Sequence, residues 1–435
     1  MNRRDFLWFT GIATGSVSVG SVLSGCAFDP VTGKATFSLV TEEQEISQDQ
    51  QQSPHQFSAD YGTNGELALN RYVTKVGDAV AKTSHRAQMP YNYRVLDANH
   101  VNAYTFPAGS MGITRGIMVE MESEAELAAL LGHEIGHVNA RHASERATKG
   151  MLAQAAVGIA SSAIGDSQTQ QVVSGLGMLS ATALLAKYSR DNEREADKLG
   201  MDYAVNAGAN PQGMVNLMTL LNGLQRSKPG ALDIMFSSHP MSDERLRNAE
   251  AQIEKNYRTQ RSRDLGRERF MDYTANLRKQ KELIKTLANA DLAMSAGNFN
   301  EAENELNRAA ILDQDDYAYW VISAKLSIAR EQFAQAISDL QQANLIKPSE
   351  HLPEYMLGVN YLETKQPESA RASFQKYKRA LPGNALVDFF IGFSFELQDQ
   401  RAQAASSYKV YLQQVQQGTQ AEYAYRRLVE WGYVS

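Results

Sequence analysis

The stretch SEAELAALLGHEIGHVNARHASER, residues 123–146, predicts one long helix with a buried face. Ser123 and Glu126 stand in the pattern of a capping box, in which the two side chains satisfy free backbone N–H groups at the start of a helix. Apolar residues then recur at the spacing of a single helix face, namely Leu127, Leu130, Leu131, Ile135 and Val138. The helix is therefore predicted to anchor the core of the fold.

The same helix carries a candidate metal site. His133 and His137 are four residues apart, and at ~100° per residue both imidazoles project from one face and can bind one zinc ion. Glu134 is placed to reach a water rather than the ion, so we predict that it is the general base. Gly132 and Gly136 also lie four apart, which would let another backbone pass close to the turns that bear the histidines.

The composition is that of a globular protein with room for two or three domains: 435 residues, 43% hydrophobic and 21% charged. A net charge of -6 gives no reason to invoke nucleic acid. Cys26 is the single cysteine, which excludes an intrachain disulfide and a thiolate metal cluster. One zinc ion per chain must therefore be bound by histidine and carboxylate side chains.

Residues 1–25 are predicted to be an export signal, because two arginines precede an uncharged run over residues 6–23. The letters NRRDFL resemble a twin-arginine signal, and LSGC, residues 23–26, resembles the lipobox of bacterial lipoproteins. That resemblance implies lipidation of Cys26, and Ala27 rather than aspartate after it favours a periplasmic protein anchored to the outer membrane. The alternative is an uncleaved N-terminal membrane anchor, since the uncharged run approaches the length of a span.

Residues 26–59 are rich in polar side chains and are predicted to be a tether. From Tyr91 to Ile117 the pattern changes to that of strands, and a proline demotes this segment to a sheet edge. We predict that the edge at Asn102, Ala103 and Tyr104 binds an extended substrate by strand addition, because it directly precedes the metal helix. The alternative is a capped edge that binds nothing.

Lys149 and Lys187 enclose 37 residues with a single charge, Asp166. The segment has the pattern of two apolar arms, each short or weakly hydrophobic for a membrane span. Two buried helices are predicted. The alternative is a hairpin that lies near the membrane or over the active site.

A later helical segment supplies acids that can complete the site. Glu193 and Asp197 are four apart and share a face, whereas Glu195 points elsewhere. These two acids offer a third metal ligand and a partner for a ligand histidine, the alternative being a solvated acidic helix. Among the remaining histidines, His239 is predicted to lie near the metal, whereas His142 is expected to face away from it.

Residues 256–282 are rich in arginine and are predicted to be a solvated connector. Beyond them, residues 283–435 repeat with a period of 34. The recurring positions are Ala302, Ala336, Ala370 and Ala404, with Leu306, Leu340, Phe374 and Tyr408 in a second register. The pattern resembles the tetratricopeptide repeat, in which small residues let stacked helix pairs cross closely. Such an array offers a surface to a protein partner and supplies no chemistry.

Four motifs together resemble a known enzyme family. HEIGH, the following VNARH, then NEREAD and SHPMSDER are similar to the zinc metallopeptidase family that includes HtpX and the CAAX prenyl proteases. The resemblance implies that His133, His137 and Glu193 bind zinc. It also implies that Glu134 is catalytic and that Asp197 supports the site.

This resemblance implies an α+β fold. A zincin-like metallopeptidase domain, residues 60–255 and mostly helical with a small sheet, would be followed by an all-α tetratricopeptide solenoid. In the expected mechanism, Glu134 takes a proton from the water that attacks a peptide carbonyl and returns it to the leaving amine. His239 and Arg245 are candidates to stabilise the oxyanion. Alternatively, His239 is a gate that caps the zinc at rest.

With its lipobox-like segment and its repeats, the chain is similar in architecture to a periplasmic member of this family with a role in quality control of outer-membrane proteins. The implied function is hydrolysis of misfolded or stalled outer-membrane proteins, with the repeats docked on protein assembly machinery. The sequence does not show the several membrane spans of HtpX and the prenyl proteases, which argues against membrane-embedded substrates. The alternative function is a repeat-bearing chaperone or assembly scaffold with a closed or vestigial zinc site.

Overall fold

The computed structural model describes residues 27–151, 188–227, 235, 238–240 and 242–434. The predicted export signal, the predicted lipidation site Cys26 and most of the predicted apolar arms between Lys149 and Lys187 lie outside these ranges. Helices dominate the described residues and accompany a small sheet, which confirms the predicted α+β class. None of the described helices is both long and apolar enough to cross a membrane.

The first part of the chain surrounds a three-stranded sheet with helices. The strands are β1 (Ala27–Phe28), β2 (Ala35–Thr36), β3 (Asn92–Leu96), β4 (Ala103–Thr105) and β5 (Ser110–Thr114). The helices are α1 (Glu42–Ala59), α2 (Leu67–Ala81), α3 (Arg115–Met118), α4 (Glu124–Asn139), α5 (Arg190–Asn206), α6 (Gln212–Ser227) and α7 (Asp243–Asn256). β5 is central, parallel to β3 and antiparallel to β4, so that β4 forms one edge. β1 and β2 form a separate antiparallel pair.

Helix α4 is the predicted metal helix, and it is shorter than predicted. Its N-cap is Ser123, whose side chain accepts a hydrogen bond from the backbone N–H of Glu126, as the sequence indicates. The helix ends at Asn139 because Arg141 adopts a left-handed conformation with φ of 53°. Residues 142–151 form a separate helical segment. The chain therefore turns directly after the metal motif.

Helix α5 crosses α4 at the two glycines of the metal motif. A Cβ atom on Gly132 would lie 2.5 Å from the carbonyl oxygen of Gly200, and one on Gly136 would lie 2.8 Å from that of Ala196. Both distances are too short for any side chain. The predicted close approach of a second backbone is confirmed, and it brings the acidic start of α5 to the histidines.

The second half of the predicted tether is an ordered helix, α1, so that prediction is wrong for residues 42–59. The buried face of α1 is polar, because it pairs with groups of the core. Glu45 accepts hydrogen bonds from Arg86 and Arg141 at 2.7 and 2.8 Å. Asp49 accepts from two backbone N–H groups at the entrance to β5, at 2.9 and 3.0 Å. Polar composition alone predicted a solvated segment because these partners are distant in sequence.

The predicted connector is only partly solvated. It contains a 3-10 helix (Arg258–Ser262) and the short helices α8 (Arg267–Tyr273) and α9 (Ala275–Lys279). Phe270 and Leu277 are buried in the hydrophobic core of the first part of the chain. The connector therefore packs as part of the fold, while its arginines stay largely exposed.

The remainder of the chain is a stack of helix pairs, which confirms the tetratricopeptide-like array. The helices are α10 (Lys281–Ser295), α11 (Phe299–Leu312), α12 (Tyr317–Ala329), α13 (Phe333–Ile346), α14 (Leu352–Glu363), α15 (Pro367–Ala380), α16 (Ala385–Glu396), α17 (Arg401–Gln414) and α18 (Thr419–Glu430). A Cβ on Gly358 would lie 2.6 Å from the Phe374 ring, and one on Gly392 would lie 2.7 Å from the Tyr408 ring. Small residues thus allow each pair to cross closely.

The first part of the chain packs against loops that join successive helix pairs. Arg115 and Asp316, both buried, form an ion pair at 2.6 Å across this junction. Further along the array, Lys347 lies 2.8 Å from Asp97. This edge of the repeats is therefore occupied within the chain and is not available to another protein.

Candidate metal centre

Four buried side chains from three segments converge at the start of α5. In the described part of the chain, His133, His137, Glu193 and His239 form one group whose ligand atoms lie within 4.8 Å of one another. The two Nε2 atoms of the α4 histidines are 3.1 Å apart. His239 Nδ1 lies 3.3 Å from His133 Nε2 and 3.1 Å from a carboxylate oxygen of Glu193. The structure thus brings together the three predicted ligands and the histidine that the sequence placed near them.

The spacing of these atoms fits a metal ion. A tetrahedral ion with bonds of about 2.0–2.1 Å holds its ligand atoms about 3.4 Å apart. The carboxylate of Glu193 lies 3.4 Å from His137 Nε2 and 3.6 Å from His133 Nε2, close to that value. Two imidazoles and a carboxylate are also a donor set that suits a divalent transition metal. The residues present therefore fit a four-coordinate ion, with His239 at the fourth position.

Asp197 and Arg245 support His133 on the side of the ring that faces away from the other ligand candidates. Asp197 lies 2.9 Å from His133 Nδ1. Arg245 Nε and Nη2 each donate a 2.6 Å hydrogen bond to Asp197, and its Nη1 lies 2.7 Å from Glu193. The guanidinium is thereby committed to two carboxylates. The expectation that Arg245 stabilises an oxyanion is corrected: it orients the acids instead.

Glu134 faces the centre without a protein partner. It is 1% exposed, and neither of its carboxylate oxygens has a hydrogen-bond partner among the described residues. His239 Nε2 lies 3.9 Å from Glu134 Oε1. Burial raises the pKa of the Glu134 carboxyl. A buried carboxyl with free lone pairs and a raised pKa has the properties of a proton acceptor for a bound water.

The pKa values of the ligand candidates are strongly perturbed. Burial lowers the pKa of His137 well below its ordinary value and favours the neutral ring. Burial also opposes the charged form of His133, but Asp197 and Glu193 outweigh it and raise the pKa of that ring. The pKa of Glu193 lies well below its ordinary value, since the neighbouring histidines outweigh its burial. Charges matched in this way are typical of functional sites.

Three residues at the site were not identified from the sequence. His142 is not among the four clustered ligand candidates, as expected, but its Nδ1 lies 2.9 Å from Nδ1 of His137, a contact that was not predicted. Glu195, expected to point elsewhere, lies 3.3 Å from His142 Nε2. Tyr188 stacks on the His137 ring with centroids 3.9 Å apart. The sequence signal for His142 was its place in the VNARH motif of the family resemblance, which did not assign it a role.

The predicted substrate edge lies at β4, next to α4. Asn102 and Phe106 bond to β5 through their backbone groups, at 3.1 and 2.8 Å. Because backbone groups alternate in an antiparallel ladder, those of Ala103 and Thr105 then point to the outer edge, whereas those of Tyr104 point to β5. Of the three predicted edge residues, Ala103 is thus the one whose backbone groups point away from β5, but Ala103 is fully buried.

This chain is similar to a known protein family, to several curated proteins and to solved structures. Residues 67–253 match the model of peptidase family M48. The beta-barrel assembly-enhancing protease of Yersinia pestis is 25% identical over 346 residues, which cover 73% of this chain and 70% of that protein. Metalloprotease YcaL of Escherichia coli is 36% identical over 164 residues, 38% of this chain and 63% of that protein. The match to the crystal structure of MamA covers 41% of this chain and 96% of the MamA chain, with 19% identity and a TM-score of 0.29.

Proposed function

Because residues 67–253 form a metallopeptidase domain of family M48, we propose that this chain is a zinc-dependent endopeptidase of the bacterial cell envelope. The observation that carries the proposal is the unpartnered, buried carboxylate of Glu134 beside three convergent ligand candidates. A structural metal site would have no use for such a group, since burying an unsatisfied carboxylate is costly. A hydrolytic site requires it.

In the proposed mechanism, His133, His137 and Glu193 hold the ion and Glu134 moves the proton. Bound zinc would lower the pKa of a water and polarise the substrate carbonyl. Glu134 accepts the proton of the attacking water and then gives it to the leaving amine. Asp197 and Arg245 keep the ligands in place.

The proposed substrates are unfolded segments of misfolded or stalled outer-membrane proteins. An extended segment suits the outer edge of β4 near the partly exposed Thr105, whose backbone groups point outward for strand addition. The name of the 25%-identical relative supports the substrate class. Surfaces of the repeats away from the junction would dock an assembly partner. Lipidation of Cys26 would anchor the protein to the outer membrane from the periplasmic side.

His239 would act as a cap at rest. An active zinc peptidase needs one coordination position for water, and a fourth protein ligand removes it. His239 Nδ1 has the separations from His133 and Glu193 of such a fourth ligand. This proximity favours the cap over an oxyanion contact, and it agrees with a closed resting site, as in the chaperone or scaffold alternative.

The central experiment compares Glu134→Gln with Glu193→Gln. Glu134→Gln is expected to abolish cleavage of an unfolded outer-membrane protein and to retain stoichiometric zinc, because the residue acts on water. Glu193→Gln is expected to lower zinc occupancy as well. Cleavage is followed by gel electrophoresis and zinc by atomic absorption. If Glu134→Gln cleaves at the wild-type rate, the proposed function is wrong.

The cap is tested by His239→Ala. Removal of a cap is expected to raise basal peptide cleavage, whereas removal of an oxyanion contact would lower it by about 10²- to 10³-fold. The sign of the change in a fluorogenic peptide assay separates the two roles. An unchanged rate would remove His239 from the mechanism.

A further inference from the structure

His142 lies directly behind one of the ligand candidates. Its ring is 1% exposed, and its Nδ1 is 2.9 Å from Nδ1 of His137. The other ring nitrogen of His137 faces the ion cluster, where its Nε2 lies 3.4 Å from Glu193. The contact with His142 therefore uses the nitrogen of His137 that cannot bind the ion.

The hydrogen-bond partner of His142 determines which ring nitrogens of His142 and His137 carry a proton. His142 Nε2 lies 3.3 Å from a carboxylate oxygen of Glu195, and an ionised carboxylate only accepts hydrogen bonds. In the tautomer whose Nε2 donates to this carboxylate, His142 Nδ1 is a hydrogen-bond acceptor. His137 Nδ1 must then carry its proton and donate to it. The lone pair of His137 is thereby left on Nε2, the atom that faces the ion cluster.

The turn at the end of α4 places His142 beside His137. The chain reverses at Arg141, whose left-handed conformation is held by contacts to α1 and the segment before it. Arg141 Nε donates to Glu45 at 2.8 Å, and its Nη2 donates to the carbonyl oxygen of Val40 at 2.7 Å. Without this turn, a continuing helix would carry His142 away from His137.

We propose that His142 and Glu195 form a relay that fixes the tautomer and orientation of His137 for metal binding. His142 is a positioning residue: it touches neither the ion nor the substrate. The proposal rests on the proposed zinc function and adds a dependence of metal affinity on two residues outside the ligand set. Loss of such a partner typically weakens metal binding about 10- to 100-fold.

The test measures zinc affinity by competition with a chromophoric chelator, in the full chain carrying Glu134→Gln so that proteolysis does not interfere. His142→Leu keeps much of the side-chain volume and removes the acceptor, and it is expected to weaken zinc binding about 10- to 100-fold. His142→Asn restores an oxygen acceptor near the position of Nδ1, so it is expected to recover most of the affinity. His351→Leu, in the repeats, is the matched control and should change nothing.

Glu195 provides a second variant that does not disturb the core, because its side chain is 40% exposed. Glu195→Ala is expected to weaken zinc binding severalfold when His142 is present. In the His142→Leu or His142→Asn background, the same substitution should have no further effect, because Glu195 acts only through the ring. Circular dichroism confirms that each variant is folded.

Two results would overturn the relay. One is wild-type zinc affinity in a folded His142→Leu protein. The other is an undiminished effect of Glu195→Ala when His142 is absent. The visible spectrum of the Co²⁺-loaded protein gives an independent readout, which should shift in His142→Leu and not in His351→Leu. If the parent protein binds no zinc, the proposed function fails instead, so the two failures are distinguishable.

Discussion

The two histidines of the metal motif are one helical turn apart, yet the fold supports them in different ways. His133 has a carboxylate 2.9 Å from its Nδ1, and that carboxylate is itself held by two 2.6 Å hydrogen bonds from Arg245. On the side away from the ion cluster, His137 Nδ1 reaches a carboxylate only indirectly, through the ring of His142. One histidine is thus backed by a buried charge and the other by a relay that ends at the surface.

This difference sets the charge of the site before a metal binds. The adjacent Asp197 and Glu193 raise the pKa of His133, whereas burial holds the pKa of His137 well below its ordinary value. Metal binding is therefore expected to be coupled more strongly to proton release at His133 than at His137. Asp197 and Arg245, which support His133, also hold the carboxylate of Glu193 in place. His142 and Glu195 position mainly the ring of His137.

The largest effect is expected from Arg245→Ala. Its removal leaves Asp197 and Glu193 buried without their shared cation, and breaking a buried pair in this way costs about 3–5 kcal/mol. Arg194→Ala is the control, since Arg194 is 39% exposed and pairs with exposed acids on the same face of the protein. Urea unfolding of both variants gives the free energies. Equal losses for the two arginines would contradict the asymmetry.

The Asp197–Arg245 contact to His133 and the His142–Glu195 contact to His137 both depend on the close crossing of α4 and α5. Gly200→Ala should therefore disrupt the two contacts together. A Cβ there would lie 2.6 Å from the backbone nitrogen of His133, and the obstacle is backbone rather than a flexible side chain. We expect a loss of about 1–3 kcal/mol in unfolding free energy and weaker zinc binding. Gly223→Ala on α6 has no atom within 4 Å of the new Cβ and serves as the control. An unaffected Gly200→Ala protein would mean that the helices can separate freely.

The contribution of the Asp197–Arg245 ion pair to stability should also decrease in acid. Arg245 outweighs burial and lowers the pKa of Asp197 in the folded state. The pair therefore contributes stability that is present above the unfolded value, about pH 4, and is lost as the pH falls through the lower folded value. The difference in unfolding free energy between metal-free wild type and Asp197→Asn should be large at pH 7 and should shrink below pH 4. A difference that is constant across this range would exclude the pair as its source.

The smallest effect is expected at the ring that stacks on His137. Tyr188→Phe keeps the stacking contact and gives up the hydrogen bond between the hydroxyl and Arg146, so it should cost no more than about 0.5–1.5 kcal/mol. Tyr188→Leu removes the aromatic face, which is worth about 0.5–1.5 kcal/mol beyond its burial. Thermal unfolding followed by circular dichroism measures both variants. A large loss in Tyr188→Phe would show that the hydroxyl, rather than the stack, supports His137.

Local spacing determined much of this protein. The capping pattern at Ser123 and the apolar stripe predict the start of α4 and its buried face, because one turn of a helix relates residues three and four apart. The same rule places Glu193 and Asp197 on one face of α5, and the period of 34 predicts the repeats. Gly132 and Gly136 predicted the close crossing, since only the absence of a Cβ permits it. The family motifs then supplied the α+β class.

Tertiary structure decided which distant groups meet. His142 returns to His137 because Arg141 leaves the helix, and Arg141 is held by Glu45 of α1, almost one hundred residues earlier in the chain. The polar face of α1 is buried for the same reason: its partners come from other elements. Arg245 was a candidate to stabilise an oxyanion until its donors were seen to be directed at two carboxylates and the carbonyl oxygen of Pro240. The periodicity of the sequence shows which residues share a face of one helix or strand. Which residues of different elements pair depends on how those faces pack, and a local sequence pattern does not contain that information.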